Sequence, residues 1–140
     1  MSPIRLCRTV TRLAVHMVWA TRDRRPCLEP EIDPWLSKLI VAKCAQIGCR
    51  AIAVGNASDH VHALVTFPPT LAVASIAHRL EGASSHRLSS RLPQLQWQAG
   101  YFAESVSDIA RAAAYVLHPR QHHDHAAPGA QEPWETTLHG

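Results

Sequence analysis

The chain has 140 residues, of which 46% are hydrophobic and 18% charged, with a formal net charge of +3. That length suits one domain with a real core, and the balance describes a globular protein, not a disordered one. No apolar stretch reaches the roughly 18 residues of a membrane span and no signal peptide stands at the start. The expectation is therefore a soluble cytoplasmic protein, mildly basic and compatible with a phosphate-bearing partner.

Residues 12–20 read as a first strand, and RDRRP (22–26) as a basic turn closed by Pro26. From Glu31 to Ile47 the residues Ile32, Trp35, Leu36, Leu39 and Ile40 recur at helical spacing, and Gly48 is a natural C-terminal stop. Residues 49–55 form a second strand, joined by Asn56-Ala57-Ser58 to a third that ends at Pro68-Pro69. Thr70 can cap a second helix carrying Leu71, Val73, Ile76 and Leu80 and extending to Leu88 and Leu92, with Gly82 a weak point. Residues 100–107 form a fourth strand. Ser107 or Asp108 then caps a third helix through Ile109, Ala113, Tyr115 and Val116. The order β-α-β-β-α-β plus one helix predicts an α+β, ferredoxin-like (RRM-like) antiparallel sheet with both helices on one face. Four cysteines, Cys7, Cys27, Cys44 and Cys49, form no CxxC pair, which points to reduced thiols.

The chemistry concentrates in SDHVHALVTF (58–67). Side chains alternate along a strand, so Val61, Ala63, Val65 and Phe67 belong to the core while His60 and His62 share the other, open face. His16 on the first strand can lie on that face too. Two histidines at i and i+2 can converge on one metal ion, with Asp59 orienting a ring from behind. The plain alternative is a pair of half-exposed polar residues on the solvent side.

Five blocks, HMVWATRDRRP (16–26), DHVHALV (59–65), RLEGASSHRL (79–88), WQAGYFAESVS (97–107) and AYVLHPRQHH (114–123), follow one another in a telling order. Together they resemble the single-tyrosine His-hydrophobic-His transposases of bacterial insertion sequences, a group that includes the REP-associated tyrosine transposases. The resemblance runs roughly over residues 12–123, giving a transposase domain of 1–123 and a loose tail of 124–140. It implies that His60 and His62 hold a divalent ion, Mg or Mn. It implies too that Tyr115 attacks a DNA phosphate, giving a covalent 5′-phosphotyrosine link and a free 3′-hydroxyl. It implies single-stranded DNA with a hairpin as substrate, and a homodimer with shared active sites. A third helix with little of its own sheet left to cover fits such a dimer.

One position departs from the family pattern. Four residues after Tyr115, where a glutamine completes the metal site, stands Pro119, which offers no ligand and disrupts a helix. Gln121 is the candidate replacement, with His118 nearby. For DNA contact the candidates are Arg22, Arg24 and Arg25 after the first strand and Arg79 and Arg87 on the second helix. Glu81 stands where the family usually carries a basic residue. Trp97 and Tyr101 can stack bases or belong to the core. Two other functions fit the same residues: a non-catalytic nucleic-acid-binding descendant of a transposase, and an unrelated ferredoxin-like metal protein.

Overall fold

The computed structural model describes residues 9–119, so Cys7, Gln121, the His122-His123 pair and the tail from 124 lie outside the described residues. Four strands, β1 (Ala14–Ala20), β2 (Arg50–Asn56), β3 (His60–Thr66) and β4 (Phe102–Ser105), form one sheet in the order β2-β3-β1-β4. Every adjacent pair is antiparallel. Helices α1 (Asp33–Gln46) and α2 (Val73–Leu88) connect the strands, and α3 (Ile109–Val116) follows β4. This is the predicted α+β, ferredoxin-like order with its extra helix.

The sequence periods explain the elements. On α1, Leu36, Ile40 and Cys44 are buried at intervals of four, one stripe facing the sheet. The helix ends where Gly48 takes a left-handed φ of 86° and the Cys49 amide donates to the Cys44 carbonyl at 2.8 Å. On α2, Ile76, Leu80, Ser84 and Leu88 make the equivalent stripe. Gly82 points into open space and breaks nothing. Both helices pack on Met17, Trp19, Val61, Ala63 and Val65, which with Leu28 and Leu95 make the main core.

Three expectations need correcting. Thr70 does not cap α2: the helix starts at Val73 after an extended Ala72, with no side-chain cap. Its stripe stops at Leu88, and Leu92 belongs to the following segment. More consequentially, the second face of the sheet is not open. All seven residues of β1 are buried, which requires cover on both faces. Part of the cover is α3, which packs across β2 and β3 through Val116 on Ala53 and Leu64, with Ala112, Ala113 and Tyr115 around them. Its Tyr115 ring meets His16 of β1, and Phe102 of β4 packs on Val18 and Ala20. The ground for expecting a partner's sheet under α3 therefore falls, because the helix sits on its own.

Candidate active site

In the register of the two central strands, Ala20 faces His60, Val18 faces His62 and His16 faces Leu64. Directly paired residues project to the same side, so three imidazoles come from the two innermost strands onto one face. They are not half-exposed. His60 and His62 each keep 1% of their surface and His16 keeps 9%. His16 Nε2 and His62 Nδ1 lie 2.8 Å apart and the two rings stack at 5.0 Å. His60 and His62 have ring centroids 4.8 Å apart.

Asp59 sits where the sequence suggested. Its Oδ1 accepts from His60 Nδ1 at 2.7 Å, and its Oδ2 accepts from Arg24 Nε at 2.9 Å. Burial pushes the Asp59 carboxyl up, but the hydrogen bonds and charges of His60 and Arg24 outweigh it and hold the carboxyl down at about 2. The carboxylate is thus an acceptor and His60 donates from Nδ1; when the imidazole is neutral, its lone pair is then on Nε2. Backbone ties fix the strand end: the Thr21 amide donates to the Asp59 carbonyl at 2.9 Å.

Tyr115 reaches the same place from α3. Asp108 caps that helix by accepting from the Arg111 amide at 3.1 Å, as the sequence allowed. The Tyr115 ring meets His62 at 5.8 Å and His16 at 5.9 Å, both edge to face. Phe102 of β4 closes the cluster at 6.2 Å from His16. Helix α3 stops at Val116, and Pro119 lies buried against Gly55 of β2. Gly55 pairs with His62, so Pro119 rests one strand away from that histidine on the same face.

Gly55 is a site residue that sequence reasoning missed. A Cβ there would collide with the Val116 carbonyl oxygen and come within 2.8 Å of Pro119 Cδ. The glycine lets the end of α3 lie flat on the sheet, next to Tyr115. A lone glycine inside a strand is the available signal for such a close approach.

The remaining candidates separate. Arg22 and Arg25 are exposed beside the Asp59 end of the site, with Arg22 Nη1 donating to Gln96 Oε1 at 2.8 Å. Arg24 does not project to solvent but is turned inward onto Asp59. Arg79 and Arg87 are exposed on α2, across the sheet from the histidines. Tyr101 packs against the main core, and so does Trp97, whose indole donates to the Glu81 carbonyl at 3.1 Å. Glu81 has a buried Oε1 without a hydrogen-bond partner among the described residues, and burial pushes its carboxyl up to about 7. Among the described residues no group of three or more His, Cys, Asp and Glu is arranged to hold a metal ion. Gln121, the proposed further ligand, falls outside them.

A ferredoxin-like sheet with a histidine pair facing a helix-borne tyrosine is the arrangement that the resemblance to transposases implies. The family model described as "Transposase IS200 like" matches residues 9–117. The chain is 29% identical over 121 residues to the ISDra2 transposase TnpA of Deinococcus radiodurans, covering 81% of this chain and 86% of that protein. It is 25% identical over 122 residues to the transposase of insertion sequence element IS200 from Salmonella typhimurium, covering 81% and 80% respectively. A crystal structure of a Deinococcus radiodurans protein assigned as a transposase superposes with a TM-score of 0.67 and 26% identity, over 86% of this chain and 96% of that one. The fold is shared also with a REP-associated tyrosine transposase bound to a REP hairpin, at a TM-score of 0.61 and 16% identity over 83% of this chain and 72% of that one. The chain belongs to the IS200-like transposase family.

Proposed function

We propose that this transposase cleaves and rejoins single-stranded DNA through a covalent 5′-phosphotyrosine intermediate formed on Tyr115. The observation that carries the reading is the meeting of Tyr115 with His62 and His16 under α3. As the tyrosine hydroxyl gives up its proton, its oxygen attacks, forming an O–P bond to the phosphate on the 5′ side of the cut and breaking the bond to the 3′ oxygen. That oxygen leaves as the 3′-hydroxyl after taking a proton. The phosphodiester energy is kept in the link, so a 3′-hydroxyl can later reverse the step and rejoin strands without a nucleotide cofactor.

Two imidazoles support binding of a divalent ion, Mg or Mn, with Mn the better match to imidazole nitrogen. His60 and His62 carry buried Nε2 atoms, each ring has its Nδ1 engaged by a hydrogen bond, and the rings stand close enough to reach one ion. When bound, such an ion polarises the phosphoryl oxygens and neutralises charge that develops there. The protein's own part is to hold the two rings, to shield the site beneath α3, and to aim Tyr115. Gln121 is the proposed further ligand. Exposed Arg22 and Arg25 flank the site and are proposed to meet phosphates of the incoming strand. A hairpin-bearing single strand is the proposed substrate, supported by the neighbouring fold whose structure holds a REP hairpin. A homodimer is the proposed assembly, following the resemblance to the family.

A labelled hairpin-bearing single strand incubated with the protein and Mn²⁺ tests this. A band of protein-linked DNA that survives denaturation is the expected result. Pro119 favours one second reading, a transposase weakened in cleavage that still binds DNA. In that case the strand is retained on native gels and no covalent band forms. Family membership removes the unrelated metal protein.

A further inference from the structure

Asp23 and Arg24 are consecutive non-glycine residues with left-handed φ angles of 59° and 55°. L side chains disfavour that conformation, and a surface loop has no need of it twice. The turn it makes is held closed. The Arg24 amide donates to the Thr21 carbonyl at 3.0 Å, and the Asp23 amide donates to Gln98 Oε1 at 3.2 Å. The effect is to fold the Arg24 side chain back along the strand end. Its Nε then meets Asp59 Oδ2 at 2.9 Å while Asp59 Oδ1 meets His60 Nδ1 at 2.7 Å. Arg24 and Asp59 expose only 23% and 21% of their side chains, so solvent screens the contact less than it would a surface pair.

We propose that Arg24 is a positioning residue for the histidine site: it holds the Asp59 carboxylate in place, and through it fixes His60 as the tautomer that presents Nε2. This rests on His60 being a ligand of the proposed metal site, and it reassigns one of the arginines that sequence alone offers as a phosphate contact. The chemistry requires the two-step chain. A carboxylate free to rotate can accept from His60 through either oxygen or turn to water, and the imidazole then loses its fixed ring orientation. A guanidinium on the second oxygen removes that freedom. Arg22 and Arg25, exposed on either side of it, have no such engagement with Asp59 and remain available for DNA.

The test uses the full chain, labelled with ¹⁵N, first without metal. The His60 ring nitrogens of the wild type should show the Nδ1–H tautomer. Arg24→Gln should mix in the other tautomer and weaken Mn²⁺ binding about three- to tenfold, somewhat less than direct loss of a ligand's orienting partner. Arg24→Lys keeps the charge and should recover part of both signals. It also supplies the reading if Arg24→Gln does not fold. A tautomer shift in a protein that binds no Mn²⁺ would sink the metal reading and leave the positioning role standing. Wild-type tautomer and wild-type Mn²⁺ affinity in Arg24→Gln would overturn the proposal. A loss confined to DNA affinity and its salt dependence would overturn it as well, and would return Arg24 to the phosphate contacts.

Discussion

Replacing Gly55 with alanine adds one methyl group at the point where α3 meets the sheet. Carbon atoms in contact settle about 3.5 Å apart or more. Pro119 Cδ, 2.8 Å from the new Cβ, must therefore retreat by about 0.7 Å. The Val116 carbonyl oxygen is closer still and belongs to backbone, so it cannot swing aside as a side chain would. The end of α3 must lift, and with it the residue before Val116, which is Tyr115. Overpacking of this kind costs about 1–3 kcal/mol, or roughly 3–10 °C in Tm for a domain of this size. The chemical cost is larger. A shift of about 1 Å in an attacking group can cost about a hundredfold in rate. Single-turnover adduct formation, measured well below both melting temperatures, should thus fall at least tenfold. Hydrogen exchange in α1 and α2 should stay as in the wild type. The reasoning fails if Gly55→Ala melts at the wild-type temperature and forms adduct at the wild-type rate, since α3 would then not be seated on β2.

Three further outcomes follow from the same geometry. His62→Ala should cost about 2 kcal/mol in denaturant unfolding, because the ring is buried between His16 and Tyr115; a cost under about 0.5 kcal/mol would mean a surface histidine after all. Glu81 has its carboxyl pushed up to about 7 by burial, so its charged form is disfavoured in the folded state. The penalty is absent below the unfolded value near 4.5 and complete above about 7. Glu81→Gln should accordingly stabilise by about 1–2 kcal/mol at pH 8, after discounting for partial exposure, and by little at pH 4.5. Calorimetry giving the same difference at both pH values would refute this. Pro119→Gln places an amide one strand away from His62, on its face, and should tighten Mn²⁺ binding in a calorimetric titration. No change would assign the missing ligand to a residue further along the chain.

Much of the fold was legible because its signals are local. Four-residue intervals fixed α1 and α2, and the apolar alternation of Val61, Ala63 and Val65 fixed the core face of β3. The histidine pair was visible for the same reason, as the two residues interrupting that alternation on its other face. What the sequence hid depends on contacts between distant segments. Whether α3 covers its own sheet is decided by a methyl-sized space above Gly55, and a short amphipathic helix looks the same either way. This is why His60 and His62 were expected near solvent and are instead buried. Arg24 was indistinguishable from Arg22 and Arg25 within one basic run. Its inward turn comes from two left-handed residues that no composition rule demands. Thr70 was a reasonable cap by type, but the chain after Pro68-Pro69 spends one further turn before Val73.

In the proposed mechanism one particular oxygen attacks DNA. The chain contains two tyrosines, Tyr115 at the histidines and Tyr101 against the main core. Digesting the covalent protein–DNA adduct and sequencing the nucleotide-bearing peptide by mass spectrometry distinguishes them in one measurement. The expected product is a 5′-phosphate ester on Tyr115, with no adduct at all from Tyr115→Phe. A nucleotide found on Tyr101 or on any other residue, or an adduct that persists in Tyr115→Phe, would contradict it.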